Sequence, residues 1–141
     1  MNPKELAKSY KSNSVETASP GKLVLMLFDG ALRFMQVART GFNEPNPVAR
    51  NEIINNNITK TQNIITELQI SLDPTMDTDF TRTMRGLYDF MLKELQKANL
   101  KKTIGPIDNV YKMLNEIRDA WAEMLTKQDQ KPDKPSLSSN A

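Results

Sequence analysis

The chain contains no cysteine and no histidine in 141 residues. Without cysteine there is no disulfide framework and no thiolate metal site. Without histidine the commonest metal ligand and the usual acid–base group near neutrality are missing, and no Glu-x-x-His pair of a di-iron bundle can be written. Glycine is scarce, at 5 residues. No Gly-rich phosphate loop and no Gly-x-Ser-x-Gly nucleophile elbow occurs. No apolar run reaches the roughly 18 residues of a membrane span, and the opening Met1-Asn2-Pro3-Lys4-Glu5 lacks the apolar stretch of a secretory signal. The formal net charge is only +2, too balanced for an electrostatic nucleic-acid footprint. These absences set the expectation: no enzyme, no cofactor, no nucleic-acid binding, no membrane insertion, and a protein that stays in the cytoplasm.

What is present is helical periodicity. Hydrophobic residues make up 38% and charged residues 26% of the chain, enough for one core in one domain. The first predicted helix runs from about Pro20 to Thr40, with Ser19 as N-cap and Pro20 at the first position, where a missing N–H costs nothing. Val24, Leu27, Phe28, Ala31, Phe34, Met35 and Ala38 form its apolar side, and Gly41, Pro45 and Pro47 end it. A second helix starts near Pro47 behind Asn46 and ends near Asp73-Pro74, with Ile54, Ile58, Thr61, Ile65, Leu68 and Leu72 in four-three spacing. Its Asn55-Asn56-Asn57 run is a poor helix former that tertiary packing must hold.

The third helix starts near Asp77 or Asp79 and reaches about Leu100. Phe80, Met84, Leu87, Met91, Leu95 and Ala98 make its stripe, flanked by Tyr88 and Leu92. The fourth follows Gly105-Pro106 to about Lys127, with Ile107, Val110, Leu114, Ile117, Trp121 and Met124 in unbroken spacing; Thr103 could cap a slightly longer version. Helices of about 20 residues joined by short connections are antiparallel neighbours. The predicted fold is all-α: an antiparallel up-down four-helix bundle over 19–127. A short N-terminal helical or extended arm (1–18) precedes it, and a solvated C-terminal tail (128–141) follows. The pairs Asp29–Arg33 and Glu94 with Lys97 or Lys101 are expected on the surface, Trp121 is expected as a core anchor, and the core stripes contain no acid.

The first helix has more apolar residues than one stripe needs. Leu23 to Phe28 are six in a row, so Leu23 and Met26, with Val37, form a second narrow row. On the third helix Tyr88, Met91, Leu92 and Leu95 widen the stripe. Two readings fit: a surface groove for another chain's amphipathic helix, with adaptable Met side chains, or a wide core contact. Leu6, Tyr10 and Val15 in the arm are too few to fold alone but apolar enough to lie on such a groove.

The stretch from Ser14 to Ala31, with its Thr17-Ala18-Ser19-Pro20 turn, Leu-rich helix start and Phe28-Asp29-Gly30 step, resembles the signature region of the flagellar secretion chaperones, the FliS family. Tyr10 stands at the upstream Tyr position. Further matching islands are Gln62 to Leu68, Leu87 to Leu92, Ala98-Asn99-Leu100 and Arg118 to Trp121. They follow in order on all four helices and cover about Tyr10 to Met124. The resemblance implies a cytoplasmic antiparallel bundle that binds the disordered C-terminal segment of flagellin, prevents premature polymerisation and aids delivery to the flagellar type III export apparatus. Export-gate components and a flagellar regulator are further candidate partners, and the protein would be a monomer or homodimer.

On that basis the groove is favoured, lined by Leu23, Met26, Leu27, Ile64, Tyr88, Met91, Leu92 and Leu95, with Tyr10 and Val15 as a displaceable cap. The alternative is a helical adaptor that binds a regulator or another secretion component. The sequence departs from the family pattern in Gly105-Pro106, in the Pro-rich Phe42–Pro47 connection and in the tail beyond Lys127.

Overall fold

The computed structural model describes residues 18–72, 75 and 77–130. Its elements are α1 (Pro20–Gly41), α2 (Pro47–Ile70), α3 (Asp79–Lys101) and α4 (Gly105–Gln130). Each helix packs on its sequence neighbours, and α4 closes the ring onto α1. This is the expected up-down-up-down bundle.

The helix starts follow side-chain chemistry. Ser19 accepts from the Lys22 backbone N–H, Asn46 accepts from that of Ala49, and both are followed by Pro at the start of the helix. Thr78 and Thr81 form a reciprocal capping box at the head of α3, satisfying two donors that the helix itself leaves without partners. At the fourth helix the Asp108 N–H bonds the Ile104 carbonyl at 3.0 Å, so Ile104 rather than Thr103 stands at the entry.

Two helix ends differ from simple expectation. Gly41 is not a left-handed terminator; among the described residues no glycine has positive φ. It is instead the buried last residue of α1, packed tightly against α2. A Cβ placed there would lie 2.8 Å from Ile53 Cγ2 and 3.1 Å from Ile54 Cγ1. The left-handed terminator is Lys102 (φ 52°), whose N–H bonds the Ala98 carbonyl.

The core is one apolar column. Phe28, Leu27, Met35, Ile54, Ile58, Ile64, Ile65, Leu68, Met91, Leu95, Ile107 and Leu114 are its largest fully buried members. On α3 the buried seam is Thr81, Met84, Tyr88, Met91, Leu95 and Ala98; Tyr88 replaces Leu87, which packs at the edge. The asparagine run stays helical between buried Ile54 and Ile58. Asn57 Nδ2 donates to the Ile53 carbonyl, and Asn99 of α3 donates to Asn55 Oδ1 at 2.8 Å. One acid does enter the core side of α2: Glu67 is 4% exposed, a position the apolar stripe did not indicate.

Candidate functional site: an apolar groove at one end of the bundle

Four helix segments meet at one end: the start of α1, the end of α2, the start of α3 and the second half of α4. The core does not fill the space between them. A groove of about 420 Å³ remains there, lined by Val24 and Phe28 of α1 and Leu68, Ser71 and Leu72 at the end of α2. Phe80, Met84 and Tyr88 of α3 complete it with Ile117, Ala120, Trp121 and Met124 of α4. Nearly all of these groups are apolar. The rim is open to solvent, since Phe80 is 63% exposed and Met124 38%. Large apolar side chains held in water beside a concave wall are an unmet burial demand, the usual mark of a surface that another chain covers.

Local structure explains why the groove stays open. The α4 stripe is fully buried only at Ile107, Val110 and Leu114; beyond them Ile117 and Trp121 are partly buried and Met124 is exposed. Trp121 braces the end. Its indole N–H donates to the Gly21 carbonyl at 2.8 Å, and its ring meets Phe28 edge-on, with centroids 6.3 Å apart. The Leu125 side chain lies over the same glycine, 2.7 Å from where a Cβ would stand. Trp121 therefore forms a fixed wall between α1 and α4, half in the core and half in the groove. The phenol of Tyr88 is 3% exposed, and burial pushes its pKa up to about 12, so it stays neutral at physiological pH.

The outer α1–α4 seam is polar, unlike the groove. Arg118 Nε contacts Asp29 Oδ1 at 2.8 Å, Gln36 donates to the Tyr111 hydroxyl at 2.9 Å, and Arg39 pairs with Asp108 at 2.9 Å. Arg39 also lies over the Tyr111 ring. Asp29 thus pairs across to α4 rather than with Arg33 on its own helix, because Arg118 presents its fork directly opposite. Glu94 and Lys97 do pair, at 3.0 Å.

The sequence-predicted contact residues separate into groups. Tyr88 lines the groove. Leu27, Ile64, Met91 and Leu95 are wholly buried in the core and offer no surface in this conformation, because each faces the bundle axis between two neighbouring helices. Leu23 and Leu92 are half-buried at the core's edge. Met26 lies apart from the groove, in the polar α1–α4 cleft beside Asp29, Arg33 and Arg118. Tyr10 and Val15 lie outside the described residues. The spacing places Val24, Phe28, Phe80, Met84, Ile117, Trp121 and Met124 on core stripes; Phe28 and Met84 are indeed buried core residues that also border the groove, whereas Phe80 and Met124 are exposed at its rim. The available signal was positional: Phe80 and Met124 extend their stripes to helix ends where few neighbours remain to cover them.

Among the described residues no group of three or more His, Cys, Asp or Glu could hold a metal ion, and no helix is long and apolar enough to cross a membrane.

Known proteins resemble this chain in sequence. The family pattern described as "Flagellar protein FliS" matches residues 2–128. The chain is similar to the flagellar secretion chaperone FliS of Bacillus subtilis, 35% identical over 117 residues that cover 83% of this chain and 84% of that one. It is likewise similar to the chaperone of the same name from Salmonella typhimurium, 34% identical over 125 residues covering 85% and 90%, and to that of Escherichia coli, 32% identical over 114 residues covering 80% and 81%. With a match over nearly its whole length and a four-helix bundle to accompany it, the chain belongs to the FliS family of flagellar secretion chaperones.

Proposed function

We propose that this protein is a cytoplasmic export chaperone whose end groove takes up the C-terminal segment of flagellin, keeps it from polymerising and aids its delivery to the flagellar type III export apparatus. The observation that carries this reading is the groove itself: an apolar trough reached from solvent and walled by all four helices. An amphipathic segment that is disordered when free gains helix by burying its apolar face there, and loses ordering entropy as it does so. Affinity is then moderate for the area covered, which suits a partner that must be released. Polymerisation contacts are blocked because they are occupied.

In this reading Val24, Phe80, Tyr88, Trp121 and Met124 meet cargo. Leu27, Ile64, Met91 and Leu95 support the groove from the core. Leu23, Met26 and Leu92 touch only cargo that runs on beyond the trough. Because α1 begins at Pro20, one turn before Val24 of the groove wall, an N-terminal arm carrying Tyr10 and Val15 acts as its displaceable cap in this reading. Residues 19–130 form the folded unit, since α4 runs on to Gln130, three residues past the end at Lys127 that the sequence suggested.

The test is calorimetric titration with a synthetic C-terminal flagellin segment, with Trp121 fluorescence followed in parallel. Saturable binding with a negative heat-capacity change, a shifted Trp121 emission, and tighter binding once residues 1–18 are removed are expected. No binding by either folded form would reject the flagellin assignment and favour the adaptor reading.

A further inference from the structure

Of the residues that line the end groove, Ser71, Tyr88 and Trp121 carry a side-chain nitrogen or oxygen. Two of the three have their hydrogen committed inside the fold. The Ser71 hydroxyl donates to the Leu68 carbonyl at 2.8 Å, and the Trp121 indole N–H donates to the Gly21 carbonyl at 2.8 Å. Among the described residues nothing bonds the Tyr88 hydroxyl, whose titration is displaced by burial alone, and its oxygen is not sealed from solvent.

Depth adds to this chemistry. Phe80, Met84 and Tyr88 follow one another at single-turn spacing on α3, and their exposures fall from 63% to 9% to 3%. Phe80 is therefore the rim of the groove and Tyr88 its floor. The phenol is neutral at physiological pH, so it can both donate and accept. A wholly apolar helix face laid over it would strip its water and return nothing, and a buried hydroxyl left without a partner opposes binding. A side chain that brings an acceptor to the same spot removes that penalty. No lining residue carries a charge, so a carboxylate or ammonium brought there would lose its water without gaining a partner of opposite sign.

We propose that the Tyr88 hydroxyl sets the register of the bound segment, selecting cargo that places one neutral hydrogen-bonding side chain (Ser, Thr, Asn or Gln) within an otherwise apolar helix face. Hydrophobic contact is non-directional and lets an amphipathic helix slide by a turn; a hydrogen bond at a fixed depth does not. Tyr88, in an assignment that rests on the chaperone reading of the groove, decides which turn of the segment sits in the trough, while the apolar walls supply the affinity.

The experiment is a double-mutant cycle read by calorimetry. The full chain and its Tyr88→Phe variant are each titrated with the synthetic C-terminal flagellin segment, then with segments in which each Ser, Thr, Asn and Gln is replaced in turn by Ala. Tyr88→Phe should weaken binding of the unaltered segment by about three- to ten-fold. At one position of the segment the alanine should cost wild type at least that factor and cost Tyr88→Phe little or nothing, since both partners are then apolar. Without cargo, Tyr88→Phe should melt no lower than wild type, because it removes a hydroxyl that nothing in the fold bonds; a merely structural tyrosine would lose stability and affinity together. Undiminished binding by Tyr88→Phe overturns the proposal and leaves the chaperone reading standing. So does additivity at every position, or a lowered melting temperature. If the wild-type chain binds no segment at all, the chaperone reading falls and this assignment falls with it.

Discussion

Replacing Gly41 by alanine sets two effects of opposite sign against each other, and the structure says which wins. In an ordinary helix interior, Gly→Ala stabilises by about 1 kcal/mol, through backbone entropy and propensity. Gly41 is helical with ordinary negative φ but is the last residue of α1, so at most that gain applies. Against it stands contact with α2. The new methyl would lie 2.8 Å from Ile53 Cγ2, 3.2 Å from Ile53 Cβ and 3.1 Å from Ile54 Cγ1. A side-chain methyl can rotate away, but Ile53 Cβ moves only with its backbone. Ile54 is fully buried and has nowhere to go.

Overpacking of this kind costs about 1–3 kcal/mol. The α1–α2 contact is also the most extensive in the bundle, so separating the helices there disturbs the best-packed seam. With three atoms crowded at once the cost falls in the upper half of that range, so the net expectation is destabilisation of about 1–2 kcal/mol, measured by urea denaturation followed by circular dichroism. Ile53→Ala removes Cγ2 but leaves Cβ in place, so the double variant should recover only part of the loss. A Gly41→Ala protein as stable as wild type, or more so, would refute the close approach as the reason for glycine at this position.

Three further outcomes follow from the same geometry. Burial holds the Tyr88 phenol near pKa 12 against 10 when unfolded, so the unfolded state releases the proton first. Stability is therefore complete below pH 10 and falls by about 1.4 kcal/mol per pH unit from there toward 12; Tyr88→Phe should flatten that fall in denaturation curves taken at pH 9 to about 12. Lys102 is held left-handed at the end of α3, a conformation that costs a β-carbon-bearing residue about 1 kcal/mol. Lys102→Gly should raise stability by about 0.5–1 kcal/mol, less what the Lys102 Nζ bond to the Asn99 carbonyl contributes, read as a shift in the thermal midpoint. Met124→Glu at the groove rim should weaken flagellin-segment binding at least about ten-fold with little effect on folding. Met26→Glu, in the polar cleft, should also leave the bundle folded but weaken binding much less, and the reverse ranking by calorimetry would move the cargo site to the α1–α4 face.

Helix order, helix starts within one or two residues, and the bundle itself were legible in the sequence; the ends of α2 and α4 were not, since α2 stops at Ile70 rather than near Asp73 and α4 runs on to Gln130. Apolar spacing, a capping Ser or Asn followed by Pro, and short connections are local facts, and they survive folding. The family is legible for the same reason, through short islands strung in order. Which apolar residues are core and which are groove was not legible. Leu27 and Val24 lie on the same stripe of α1, yet one is sealed and the other lines a trough, because the difference lies in which ends of α2, α3 and α4 arrive beside them. Trp121 looked like a core anchor and is half that: its indole is latched to Gly21, 100 positions away in the chain.

Gly41 looked like a helix terminator and is instead a packing notch against Ile53. Asp29 had an obvious partner on its own helix, but Arg118 sits closer across the seam. The sequence by itself determined the elements and their amphipathic sides, since periodicity and capping act over one or two turns. Only the tertiary structure decided where apolar surface is left over, since exposure depends on the lengths and offsets of four helices packed together.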